Sequence, residues 1–92
     1  MLLKNLIDNL NSKIGNLKIR KISADSRKIK KGDLFVSIKG NKFDGNKFID
    51  QAILKGAKVV IYSGSLKKKN KNITFIKTKN TREKLAEISS KY

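Results

Sequence analysis

The chain has 92 residues, a formal charge of +16, and neither cysteine nor histidine. This composition describes one small domain over residues 1–92 and excludes disulfides, cysteine nucleophiles, histidine bases and the usual zinc sites. No stretch approaches the roughly 20 apolar residues of a membrane span, and the first residues lack the apolar run of a signal peptide. We therefore expect a cytoplasmic domain with no membrane partner.

The positive charge has two interpretations. A basic face can follow the phosphates of a nucleic acid, which would make this a nucleic-acid-binding protein. However, lysine greatly outnumbers arginine, the residue whose planar fork suits phosphate and base recognition. Phe35, Phe75 and Tyr62 belong to apolar, strand-like runs and not to a stacking platform. The sequence favours a lysine-rich solvated surface and disfavours a nucleic acid partner.

The N-terminal segment predicts an amphipathic helix, because apolar residues recur at helical spacing over Leu3–Ile14. Gly15-Asn16 is a typical helix end. Leu17–Arg20 then alternates apolar and polar side chains, which predicts a short strand. The small polar residues of Ser23–Arg27 predict a strand exit or a turn.

The middle of the chain predicts a strand, a helix and a second strand. A turn over Lys30–Asp33 leads into Leu34–Ile38, which is rich in strand-forming residues. Helical spacing over Phe48–Ile53 predicts a helix, and Lys55-Gly56 is a plausible end for it. The continuous apolar run Val59–Tyr62 predicts a strand covered on both faces. A strand–helix–strand unit of this kind predicts parallel pairing of right-handed sense.

The last third predicts a polar loop over Ser63–Asn72, a strand over Ile73–Ile76 and a final helix. Asn80 can cap that helix, with Glu83 in position to reach back. The elements together predict the α/β class: a small three-layer sandwich with a mostly parallel sheet.

Three segments have a functional and a structural interpretation. The Ser hydroxyl in Asp25-Ser26-Arg27 can donate to and accept from a ligand, or Asp25 can simply close an Asx turn. Glycines at both ends of Gly40–Gly45 permit a ligand to approach the main-chain N–H groups of the loop closely. In the structural interpretation, the loop only connects a strand to a helix. The lysines of Lys67–Lys71 form a charge run, which is usually solvated. Taken alone, each segment favours the structural interpretation.

The sequence contains no catalytic machinery that we can name. Gly40–Gly45 is neither a Walker A loop nor a dinucleotide fingerprint. We find no nucleophile elbow, no metal-ligand spacing and no carboxylate pair with an obvious mechanism. We expect no catalytic residue, metal site or cofactor in this chain.

Residues 22–40, ISADSRKIKKGDLFVSIKG, resemble the opening signature of the Mur ligases. That family has a D-S-R triplet, a G-D-L-F-V string, and a short loop followed by D-G. The corresponding residues here are Asp25-Ser26-Arg27, Gly32–Val36 and Asp44-Gly45. Residues 80–88, NTREKLAEI, resemble the D-T-R-x-x-L-A helix of the family. The resemblance covers nearly the whole chain in the correct order and indicates the N-terminal domain of a MurE-type ligase.

The resemblance implies a role in peptidoglycan precursor synthesis. MurE-type ligases are cytoplasmic enzymes that use ATP and magnesium to add a diamino acid, or sometimes lysine, to UDP-N-acetylmuramoyl-L-alanyl-D-glutamate. Central and C-terminal domains perform that chemistry, and the phosphate loop of the central domain lies beyond residue 92. The N-terminal domain holds the uridine end of the substrate. Carried over to this sequence, the contacts to uracil and ribose fall on Ala24, Ser26, Asn41, Lys42 and Phe43.

Three positions depart from the family pattern. Lys31 stands where proline is frequent, Ser37 where alanine is frequent, and Asn46 where histidine often follows D-G. A MurF-type domain, whose parent adds D-alanyl-D-alanine one step later, shares much of the signature. Asn80-Thr81-Arg82 and Tyr92 favour the MurE type. A basic nucleic-acid-binding protein is the alternative from a different class.

Overall fold

The computed structural model describes residues 1–38, 45–66 and 70–91. Its centre is a four-stranded sheet in which each strand lies beside the next in chain order and all pairs are parallel. The strands are β1 (Ile22–Ser23), β2 (Leu34–Val36), β3 (Val59–Tyr62) and β4 (Thr74–Lys77). The α-helices are α1 (Ser12–Gly15), α2 (Ile49–Leu54) and α3 (Thr81–Lys91). Short 3₁₀ turns cover Leu3–Asn5, Ser26–Lys28 and Gly45–Phe48.

The sheet is covered on both faces, because alternate residues of a strand point to opposite sides. On one face, Leu34 and Val59 pack in a buried cluster with Ile88 of α3 and with N-terminal side chains. On the other face, Phe35 and Val60 pack in a second cluster that includes the face of α2. These three layers confirm the predicted α/β sandwich.

The predicted strand–helix–strand unit is confirmed. β2 and β3 pair in parallel, with Phe35 opposite Val60, and α2 connects them. Gly56 closes the C-terminal end of α2 at φ +111°, a conformation that L side chains rarely adopt. The predicted cap of α3 by Asn80 is also confirmed, since the Glu83 amide donates to Oδ1 of Asn80 at 3.1 Å.

The continuous N-terminal helix predicted over Leu3–Ile14 is wrong. The segment forms a 3₁₀ turn and the four-residue α1, separated by Asn9 in the left-handed region at φ 65°. Asn11 then caps α1 by accepting from the Ile14 amide at 2.9 Å. Leu3, Leu6 and Ile7 are nevertheless buried, as their apolar character requires.

The strand predicted over Leu17–Arg20 is also wrong. This segment contributes only an isolated antiparallel bridge, between Leu2 and Lys18. The strand that joins the sheet begins at Ile22 instead. Ahead of it, the Arg20 amide donates to the carbonyl of Gly32, which aligns the segment with the turn before β2.

A buried carboxylate holds that turn in place. Asp33 is 1% exposed and accepts from Nε and Nη2 of Arg20 at 2.8 and 3.0 Å. The backbone amides of Lys21 and Lys30 also donate to it, at 3.2 and 2.8 Å. Burial would raise the pKa of Asp33, but hydrogen bonds and the Arg20 charge outweigh burial and lower it. Asp33 therefore anchors the starts of β1 and β2 as a structural ion pair.

None of the helices in the described ranges is long and apolar enough to cross a membrane.

Candidate functional site

A pocket of about 500 Å³ opens where β1 ends. Residues 24–27, which follow β1, form one wall. The lining is completed by Phe35 of β2, by Phe48 of the 3₁₀ turn that leads into α2, and by Gln51 of α2. Ligand sites of parallel α/β sheets commonly lie outside the carboxyl ends of the strands, where this pocket is found.

Ser26 is the best-defined polar group of the pocket. Its side chain is almost buried, at 5% exposure, and Oγ donates to Oε1 of Gln51 at 2.6 Å. A hydroxyl that donates one hydrogen bond still has acceptor lone pairs, so Ser26 can accept from a ligand N–H group. The amide nitrogen of Gln51 provides a donor next to it.

The turn that carries Ser26 is built by Asp25 and Arg27. The Asp25 carboxylate accepts from the Arg27 amide at 3.0 Å and from Arg27 Nε and Nη2 at 3.1 and 3.0 Å. The side-chain hydrogen bond from Arg27, followed by the one from its backbone amide, lowers the pKa of Asp25 to about 2. The Asx-type interpretation of this segment is thus confirmed for Asp25, while Ser26 faces the pocket.

Apolar groups supply the remaining lining. Ala24 is exposed and offers only a methyl group, which leaves room for a flat ring to approach. Phe35 is 1% exposed and Phe48 is half-buried, so their rings give the pocket an apolar floor and side. A small pocket with an apolar surface and few polar groups suits a planar heterocycle.

The structure brings Ala24 and Ser26, two of the predicted site residues, to the same pocket. The other three, Asn41, Lys42 and Phe43, lie outside the described residues, and so do Lys67–Lys69. Sequence reasoning missed Gln51, because nothing in a helical pattern distinguishes a glutamine that meets a distant serine from one in solvent.

Two departures from the family pattern contact each other. Ser37 is fully buried, and its Oγ donates to Oδ1 of Asn46 at 2.5 Å. Asn46 Nδ2 in turn donates to the carbonyl of Ser63 at 3.0 Å. This chain of bonds ties the carboxyl ends of β2 and β3 to the turn before α2. The buried hydroxyl at position 37 is therefore satisfied by the unusual residue at position 46.

The fold and the pocket define a three-layer α/β domain with a candidate ligand site at the end of β1. Residues 18–92 match the family described as "Mur ligase family, catalytic domain". The chain belongs to the Mur ligase family.

Its relatives include two clostridial enzymes named UDP-N-acetylmuramoyl-L-alanyl-D-glutamate–2,6-diaminopimelate ligase. The one from Clostridium tetani is 46% identical over the whole chain, and the one from Clostridium perfringens is 44% identical over the whole chain. The chain spans 20% of the length of each of these curated relatives.

Solved structures of MurF ligases share the fold. The MurF ligase of Thermotoga maritima in complex with ADP is 28% identical, with a TM-score of 0.65 over 80% of this chain and 17% of that one. MurF from Acinetobacter baumannii is also 28% identical, with a TM-score of 0.66 over 79% of this chain and 16% of that one.

Proposed function

We propose that this domain holds the uridine end of UDP-N-acetylmuramoyl-L-alanyl-D-glutamate for a MurE-type ligase of the cytoplasm. One observation carries the proposal: Ala24 and Ser26, where the family signature places nucleotide contacts, line one pocket. The clostridial relatives are named as ligases of this substrate, which supports the same assignment.

The chemistry of the pocket fits a uracil ring. Uracil is flat and presents one N–H group between two carbonyls. The Ser26 hydroxyl can accept from that N–H, and the Gln51 amide nitrogen can donate to a neighbouring carbonyl. The rings of Phe35 and Phe48 can cover an apolar face of the base. Asn41, Lys42 and Phe43 remain proposed contacts to the uracil and ribose.

ATP and magnesium are proposed for a ligase that contains this domain together with the remaining Mur ligase domains. The described residues include no group of three or more His, Cys, Asp or Glu side chains that could hold a metal ion. We assign no step of the ligase reaction to them. Their proposed contribution is binding and orientation of the nucleotide.

Replacing Ser26 with alanine is expected to weaken UDP binding about tenfold, because one hydrogen bond contributes roughly 1–1.5 kcal/mol. Isothermal titration of both proteins with UDP measures this difference. Ser37→Ala is the matched control, since Ser37 is equally buried and hydrogen-bonded but does not line the pocket. Equal affinities for the wild type and Ser26→Ala would remove Ser26 from the site.

A MurF-type parent is the second candidate, favoured by the structural similarity to MurF ligases. The sequence identity to the diaminopimelate ligases is higher, at 44–46% against 28%. Both types use a UDP-linked substrate, so UDP binding alone does not separate them. A ligase assay of the protein that contains this domain does: product from the UDP-linked dipeptide with a diamino acid supports the MurE type. Product only from the tripeptide with D-alanyl-D-alanine supports the MurF type.

A further inference from the structure

The charges of the domain are distributed unevenly between the two ends of its sheet. Because all four strands are parallel, the segments that precede them meet at one edge, opposite the pocket. We call the lysines on these segments the amino edge. Its members are Lys18, Lys21, Lys30, Lys31, Lys58 and Lys71. Among the described residues of these segments, the only acidic one is Asp33, which is buried and paired with Arg20.

Contacts between these segments confirm that the amino edge is continuous. Lys58 Nζ donates to the carbonyl of Lys18 at 3.3 Å, which connects the approach to β3 with the approach to β1. The Gly32 amide donates to the carbonyl of Gly56 at 2.9 Å, next to Lys31. The Thr74 amide donates to the carbonyl of Lys58 at 3.2 Å, which adds the approach to β4.

Exposed apolar side chains lie on the same edge. Leu54 is 87% exposed and ends α2 directly before Lys55 and Gly56. Met1 is 41% exposed and pairs its backbone with Ile19, beside Lys18. Among the described residues these two are the large hydrophobic side chains that remain exposed. Both therefore fall among the lysines.

Contrary to the expectation from composition that the domain has no membrane partner, we propose that the amino edge is a docking surface for an anionic lipid bilayer. Lysine clusters are attracted to anionic headgroups by roughly 1 kcal/mol per lysine, and an exposed leucine among them can enter the interfacial region. Nucleic acid fits less well, because Arg20, the arginine of this edge, is held by Asp33, and the described residues of these segments include no aromatic side chain for stacking. The pocket lies at the opposite end of the sheet and stays open when the edge docks.

The test compares the full chain with two variants of equal net charge. The first replaces Lys18, Lys21, Lys30 and Lys31 with glutamine. The matched control replaces Lys47, Lys77, Lys79 and Arg82 with glutamine. These exposed residues lie on the turn before α2, at the end of β4, between β4 and α3, and at the start of α3. Co-sedimentation uses vesicles of phosphatidylcholine with about 30% phosphatidylglycerol, near 0.1 M salt, where surface charges are screened beyond about 10 Å.

The wild type and the control are expected to bind the vesicles, and the amino-edge variant to lose at least about tenfold in partitioning. Leu54→Gln is expected to lose a few-fold with all lysines present, which tests the apolar contact separately. No binding by the wild type, or equal losses in the two charge variants, would overturn the proposal. So would an amino-edge variant that loses affinity for duplex DNA but keeps its vesicle binding. Thermal unfolding of each variant checks that it is folded.

Discussion

Gly56→Ala is expected to lower the free energy of unfolding by about 3–4 kcal/mol. This loss is the sum of a cost for backbone strain and a cost for overpacking. Gly56 has φ +111°, where an L residue is strained in any surroundings. An added Cβ would also lie 2.5 Å from Cα of Lys31 and 2.8 Å from its backbone nitrogen. Neither backbone atom can move without shifting the turn that leads into β2.

Gly32→Ala separates the two causes. Gly32 also has positive φ, at +89°, but its added Cβ would meet only Cβ of Arg20 at an ordinary 3.7 Å. We expect strain alone there, about 1–2 kcal/mol. Urea unfolding followed by circular dichroism measures both variants. Equal losses at the two positions would show that the approach of Gly56 to Lys31 is not a close contact.

Asp33→Asn is expected to cost about 2–4 kcal/mol, because the carboxylate accepts four hydrogen bonds that an amide cannot all accept. The amide nitrogen would face either the Arg20 guanidinium or a backbone N–H group. Urea unfolding at neutral pH measures the loss. Asp8→Asn is the control, since Asp8 is 81% exposed and its pair with Lys91 is 3.6 Å long. Exposed pairs of this kind contribute less than about 1 kcal/mol.

The effect of Asp33→Asn also depends on pH. The pKa of Asp33 is lowered in the folded protein, so ionisation of this group stabilises the fold above its unfolded pKa of about 3.9. This stabilisation is lost as the pH falls through the lower, folded pKa. We therefore expect the stability difference between wild type and Asp33→Asn to shrink in acid. A difference that stays constant down to the acid limit would contradict the ion-pair account.

The parallel sheet was predictable because its strands carry strong local signals. Val59–Tyr62 is a continuous apolar run, and the structure buries every residue of it. The apolar residues between this run and Leu34–Val36 have helical spacing. A helix that connects two strands is the usual crossover between parallel neighbours, so the pattern predicts parallel pairing. Here, local pattern and global packing require the same structure.

The N-terminal segment was not predictable in the same way. Leu3, Leu6 and Ile7 have helical spacing, but they reach the core from a 3₁₀ turn and an irregular segment. Backbone hydrogen bonds to residues 17–19 hold the N-terminal segment in an extended start instead of a continuous helix. The Leu3 amide donates to the carbonyl of Leu17, and the Ile19 amide donates to the carbonyl of Met1. These contacts are distant in sequence, so periodicity alone does not reveal them.

The site was predictable only through the family resemblance. Residues 25–27 alone favoured a turn, and the structure shows that turn as well as the pocket beside it. The partner of Ser26, by contrast, is 25 positions away in the chain, and so no local pattern indicates Gln51. The same holds for Asp33, whose burial depends on Arg20 from another segment.

Titration of the ¹⁵N-labelled domain with UDP, followed by amide chemical shifts, tests the proposed function most directly. We predict saturable shifts that are largest at Ala24, Ser26, Phe48 and Gln51, in the pocket at the end of β1. Shifts confined to the amino-edge lysines would show only attraction of the phosphates to a basic surface. That result, or no shift at ligand concentrations of about 1 mM, which corresponds to a binding free energy near −4 kcal/mol, would contradict the account.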